Sequence, residues 1–103
     1  MRILIVGAGG VGDAIAKIAA TRSFYEAVVV SDYDLARAER TVGWITERHG
    51  VEVGRRFVSS RIDASDPDAV AAVARANAVS HVMNAVEPKF VQSIFAGALA
   101  AGA

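Results

Sequence analysis

At 103 residues, 53% of them hydrophobic and 21% charged, the chain suits one globular domain with a buried core and not a disordered segment. Eleven basic and eleven acidic side chains cancel, so no net basic field marks a nucleic-acid or anionic-membrane binder. Cysteine is absent, which excludes disulfides, thiolate zinc sites and a cysteine nucleophile, and no metal site is expected.

The first apolar run, Ile3 to Val6, reads as a strand buried on both faces and ending in glycines. It is too short for a signal-peptide core, and no stretch is apolar over the length a bilayer requires, so a cytoplasmic location is expected. Helical spacing follows from Gly10 to about Arg22, with Val11, Ile15, Ile18 and Ala19 on one face. Ala27 to Val30 is a second strand, leading to Ser31–Asp32. Asp34 can cap a helix running to about His49, with Gly50 just past its end. Along it Leu35, Ala38, Val42 and Ile45 recur at helical steps, with Trp44 close beside them.

Val51 to Arg56 reads as a polar turn, and Phe57 to Ile62 as the third strand. Asp66–Pro67 opens a third helix that reaches about Asn77. His81 to Asn84 forms the fourth strand, and a last helix begins at Pro88 and ends near Gly102. Alternating strands and helices predict an α/β fold, a doubly wound parallel sheet of four to five strands with right-handed crossovers. A fifth strand would normally follow Ala101–Gly102–Ala103. Residues 1–103 are therefore expected to be the N-terminal nucleotide-binding part of a longer enzyme whose substrate domain lies elsewhere.

Gly7, Gly9 and Gly12 make a G-x-G-x-x-G turn. The first glycine permits the tight turn, the second lets backbone approach a diphosphate, and the third lets the helix pack on the strand. Free N–H groups near Gly10 and Val11 then face the phosphates, aided by the helix dipole. A glycine-rich turn alone is a weak signal. Here it follows a strand, opens an amphipathic helix and precedes a strand ending in acid, which is the context a dinucleotide site requires. No Lys-Ser or Lys-Thr follows the loop, which excludes a P-loop NTPase.

Asp32 lies twenty positions beyond Gly12, where a carboxylate can accept from the adenosine ribose hydroxyls and would repel a 2′-phosphate. NAD is therefore the expected cofactor. Arg37 and Arg40 leave NADP possible, since an arginine can reach a phosphate, although both also fit a solvated helix face paired with Glu39 or Asp34. Asp63 and Ala64 end the third strand at the adenine side. Asp63 either accepts from the adenine amino group while Ala64 packs on the ring, or serves as a turn residue before the Asp66 cap. Asn84, Ala85 and Val86 end the fourth strand, where small residues let the nicotinamide ribose and phosphates pass near backbone. His81 and His49 fit structural roles. Tyr25, Trp44, Phe57, Phe90 and Phe95 fit core or interface positions.

The glycine loop, the stretch Val28–Leu35 and the turn Asp63–Asp66 together resemble the saccharopine dehydrogenase family. Val82-Met83-Asn84-Ala85-Val86-Glu87-Pro88-Lys89-Phe90 is similar to that family's stretch after the fourth strand, and its Asn84-to-Phe90 part carries most of the discrimination. Glu87 and Lys89 depart from its more apolar, proline-rich turn. The resemblance spans the chain. It implies NAD(P)-linked oxidoreduction at a carbon–nitrogen bond of an amino acid or polyamine conjugate, with a second domain for substrate binding and homodimer formation. On this reading residues 1–103 bind nucleotide without turning over substrate, because no general acid or base is identifiable among them. The competing expectation is a non-catalytic NAD/NADH-sensing module of a potassium channel or transporter, which would use the same loop and acid.

Overall fold

The structure, a computed structural model, describes residues 1–86 and 88–103. The chain runs β1 (Arg2–Val6), α1 (Gly10–Ala19), β2 (Ala27–Asp32), α2 (Leu35–His49), α3 (Val51–Gly54), β3 (Phe57–Arg61), α4 (Pro67–Ala76) and β4 (His81–Asn84). A 3-10 turn at Pro88–Phe90 then leads into α5 (Val91–Ala101). The strands form one parallel sheet in the order β3-β2-β1-β4.

The two apolar runs take the central places because both of their faces are covered. Ile3, Ile5, Val28 and Val30 pack with Ala16, Ala38 and Ile45 of α1 and α2. Leu4, Val6 and Val29 point the other way, onto Val70, Ala74 and Ile94 of α4 and α5. This is the expected doubly wound α/β fold, and alternation along each strand distributes its side chains between the two layers.

Local chemistry sets the helix ends. Asp34 accepts from the Ala36 N–H and Asp66 from the Asp68 N–H, each at 3.0 Å, as N-caps of α2 and α4. Gly50 and Gly102, with φ of 92° and 78°, follow α2 and α5.

Several expectations are corrected. Val51–Arg56 is not a polar turn: one helical turn, α3, resumes after Gly50, with Val53 packed on the core and Gly54 against Thr46. The α1 face is also different. Val11 and Ile18 are 64% and 59% exposed, while Gly12, Ala16 and Ala19 are buried. Small residues let α1 lie close to the sheet and turn Val11 and Ile18 outward, while Ile15 still packs on the core. The helix stops at Ala19 because Thr21 and Arg22 donate to carbonyls three residues back. Ile62 lies just beyond β3, yet its N–H still bonds the Asp32 carbonyl at 3.0 Å. The last helix starts as a 3-10 turn at Pro88 and becomes α-helical at Val91. Among the described residues no helix is long and apolar enough to cross a membrane.

Candidate functional site

The turns after all four strands open at the carboxyl edge of the sheet. Between β1 and β4 the strand order reverses direction, and such a switch point leaves a crevice above the strand ends. The glycine loop fills its centre. Gly7 has φ of 106°, and its N–H extends the ladder to the Ser31 carbonyl at 2.8 Å. A Cβ there would meet Val86 Cγ1 at 2.6 Å and the Ala85 oxygen at 2.9 Å. One at Gly12 would overlap the Gly7 carbonyl oxygen. Both glycines are required by the fold itself.

Gly9 is different. Its φ of −74° suits any residue, and a Cβ added to it meets nothing within 4 Å. Nothing in the chain demands glycine here, so the bare backbone faces outward toward whatever binds. Gly9 is also the N-cap of α1 and supplies no side-chain cap, whereas α2 and α4 are capped by aspartates. The first-turn amides at Gly10 and Val11 therefore stay available to an anion. Val11 is exposed at this helix start, and Gly12 is buried beneath Gly7.

Asp32 closes one side. Its Oδ2 accepts from the Ala8 N–H and its Oδ1 from the Asp34 N–H, each at 2.8 Å. A carboxylate has about four acceptor positions, so lone pairs on both oxygens remain for ribose hydroxyls. Gly7, Asp32, Asp63, Ala64 and Val86 line one groove of about 410 Å³, together with Tyr33 and Phe90. Gly9 and Gly10 line a second of about 400 Å³ with Lys17, Arg37, Arg40 and Trp44. Arg37 lines both and lies 3.9 Å from the Asp34 carboxylate. A third groove, of about 450 Å³, lies away from the loop among Ile3, Ile18, Phe24 and Met83. Its apolar walls offer a diphosphate few donors.

The remaining candidates divide. Asp63 Oδ1 accepts from both the N–H and the hydroxyl of Ser65, at 3.0 and 2.6 Å. These bonds, assisted by the Arg61 charge, hold its carboxyl below the usual aspartate range. The turn role is thus realised, with the groove beside it. Asn84 faces a different groove, next to Val91 and Phe95 of α5, and its Oδ1 accepts from the Val86 N–H at 3.0 Å. Ala85 packs on the core, and its N–H bonds the Val6 carbonyl at 2.8 Å. Of the two positions that depart from the family pattern, Glu87 lies outside the described residues, and the Lys89 ammonium sits 5.1 Å from the Phe90 ring centre.

Sequence reasoning missed the polar contact between α1 and α2. Asp13 bonds Lys17 at 2.8 Å and accepts from the buried Thr41 hydroxyl at 2.6 Å. Burial alone would raise the Asp13 carboxyl, but these two hydrogen bonds and the Lys17 charge outweigh it and hold it low. The Lys17 ammonium also lies 4.4 Å from the Trp44 ring centre. The four-residue spacing of Asp13 and Lys17 was a visible signal for their pair, whereas the Thr41 contact depends on how the helices pack. Tyr33 was also overlooked. Its ring lies 4.5 Å beneath the Arg61 guanidinium at the groove's rim.

Residues 3–103 match the family model described as the saccharopine dehydrogenase NADP binding domain. Among solved structures, saccharopine dehydrogenase (L-Glu forming) from Saccharomyces cerevisiae superposes with a TM-score of 0.72 at 18% identity, over 97% of this chain and 20% of that one. Quinate dehydrogenase from Corynebacterium glutamicum, solved in complex with NAD, gives 0.62 at 28% identity, over 82% and 26%. Menthone neomenthol reductase from Mentha piperita gives 0.69 at 24% identity, over 82% and 31%. The chain spans less than a third of each of these proteins.

Proposed function

Because the chain belongs to the saccharopine dehydrogenase NADP-binding domain family, we propose that it is the cofactor-holding part of an oxidoreductase. The proposed reaction is hydride transfer at a carbon–nitrogen bond of an amino acid or polyamine conjugate. The observation that carries the nucleotide reading is the pairing of the uncapped α1 start, bare at Gly9, with the Asp32 carboxylate on the neighbouring strand.

Each residue acts on the ligand in a definite way. The Gly10 and Val11 amides bind the diphosphate oxygens, and the α1 dipole favours their charge. Asp32 accepts from the ribose diol, and Ala64 with Tyr33 and Phe90 bounds the adenine side of the groove. When bound, the nicotinamide supplies the hydride chemistry, and the protein's part is orientation. No general acid or base from this chain is placed in the reaction. Those groups, the substrate contacts and a homodimer interface are assigned to a further domain of the enzyme, and the whole is assigned to the cytoplasm.

NAD is the preferred cofactor, because Asp32 would stand against a 2′-phosphate. One observation favours NADP as a second reading: Lys17, Arg37 and Arg40 gather in the groove beside Gly9. Calorimetric titration of this chain with both cofactors separates the two, and tighter NADP binding overturns the preference. For the reaction class, the enzyme carrying this domain is assayed by nicotinamide absorbance on secondary-amine conjugates and on simple alcohols. Turnover confined to alcohols contradicts the carbon–nitrogen assignment.

A further inference from the structure

We propose that Asp32 is a positioning residue for the glycine loop as well as a ligand of the ribose, so that the diphosphate and sugar subsites are coupled through one carboxylate. The inference rests on the dinucleotide reading for its ligands, but its geometry stands without one.

At the end of the β1–β2 ladder and just past it, the two strands are tied by successive bonds. The Ser31 hydroxyl donates to the Ile5 carbonyl at 2.7 Å, and the Gly7 N–H to the Ser31 carbonyl at 2.8 Å. The next rung is a side chain: the Ala8 N–H donates to Asp32 Oδ2 at 2.8 Å. Ala8 is buried, and an unpaired buried amide is costly enough that such groups almost always find partners. Ala8 immediately precedes Gly9, the outward-facing residue whose carbonyl accepts the first helical bond, from Asp13 at 2.9 Å. The Asp34 N–H on Oδ1 holds the carboxylate from its other side, so Asp32 is a fixed post to which the loop is fastened. The loop amides thereby divide: Ala8 is spent on Asp32, while Gly10 and Val11 remain for the ligand. A loop held this way is preorganised, which lessens the ordering that binding must impose.

The test uses ligands lacking the hydroxyls that Asp32 would touch. ADP and 2′,3′-dideoxy-ADP are titrated into wild type, Asp32→Ala and Asp32→Asn, and amide hydrogen exchange is followed at Ala8, with Ile5 and Val29 as controls for the fold. The latch predicts that Asp32→Ala weakens 2′,3′-dideoxy-ADP at least fivefold, although removing a negative charge beside a diphosphate should by itself tighten it. It also predicts Ala8 exchange at least tenfold faster with Ile5 and Val29 unchanged. Asp32→Asn, which lacks the charge but retains an acceptor oxygen, should fall between wild type and alanine in both readouts. Unaltered or tighter dideoxy-ADP binding by Asp32→Ala overturns the proposal, as does unchanged Ala8 exchange or identical behaviour of the two variants. If wild type binds neither nucleotide, the dinucleotide reading has failed, and Ala8 exchange alone still decides the latch.

Discussion

Gly12 lies so close under the Gly7 carbonyl that a Cβ built on it would overlap that oxygen. The nearest atoms are the Gly7 backbone and the Ala85 Cβ, so no flexible side chain is there to give way. Gly12→Ala should therefore destabilise the chain by about 2–3 kcal/mol, a cost typical of overpacking. The midpoint of thermal unfolding then falls by on the order of 10–15 °C. Gly43→Ala is the matched control: a Cβ there, within α2, meets nothing within 4 Å. It should stabilise by about 0.5–1 kcal/mol through helix propensity. Calorimetric melting of both variants checks the contrast, and equal effects contradict it.

Gly9→Ala separates binding from folding. With ordinary backbone angles and open space around its Cβ, the variant should melt within about 0.5 kcal/mol of wild type. Its affinity for NAD should nevertheless fall at least tenfold, because the methyl group stands where the diphosphate approaches. Intact affinity in a folded Gly9→Ala chain would show that no ligand comes near this backbone.

How much of this was legible in the sequence depends on the range of the interaction involved. The strands, the Asp34 and Asp66 caps and the glycine turn are local patterns, and they stand where the spacing puts them. The outward turn of Val11 and Ile18 was not legible, because hydrophobic periodicity does not register that Gly12, Ala16 and Ala19 admit a closer approach to the sheet. Helix α3 was hidden for a similar reason: Val51–Gly54 is short, Val53 is held by the core, and Gly54 packs on Thr46 of the preceding helix. At the site, the ends of β1 and β2 were readable, but the bond from Ala8 to Asp32 spans 24 residues and depends on the parallel register of those strands. Asn84 shares the carboxyl edge of the sheet but opens onto the α5 side, a placement that depends on how α5 packs and not on local spacing.

Arg37 lines both grooves, so it is the side chain best placed to respond to a 2′-phosphate. Arg37→Ala should weaken NADP at least fivefold and change NAD affinity less than twofold. Paired titrations of wild type and variant check this, and a parallel loss for both cofactors would assign Arg37 to a part they share.

The contact between Asp13, Lys17 and Thr41 predicts the acid side of the stability profile. The Asp13 carboxyl is held below its ordinary value in the folded chain, so the unfolded chain binds the proton more readily. Its contribution is therefore present above the unfolded value, near pH 4, and is lost as pH falls through the folded value. At neutral pH, Asp13→Asn should cost about 1.5 kcal/mol, the low end of the range for a hydrogen bond to a charged group, because the carboxylate is partly exposed. Urea midpoints of variant and wild type should converge as pH falls through the lowered folded value. A gap that widens toward low pH contradicts the sign.

Whether the start of α1 and the end of β2 together hold a dinucleotide is decided by titrating NAD into the isotope-labelled chain and following its backbone amides. Saturable shifts are expected at Gly9, Gly10, Val11 and the Asp32–Asp34 turn, with the groove around Met83 undisturbed. Absence of binding, or shifts centred on Met83 and Ile18 with the glycine loop silent, would rule this dinucleotide site out.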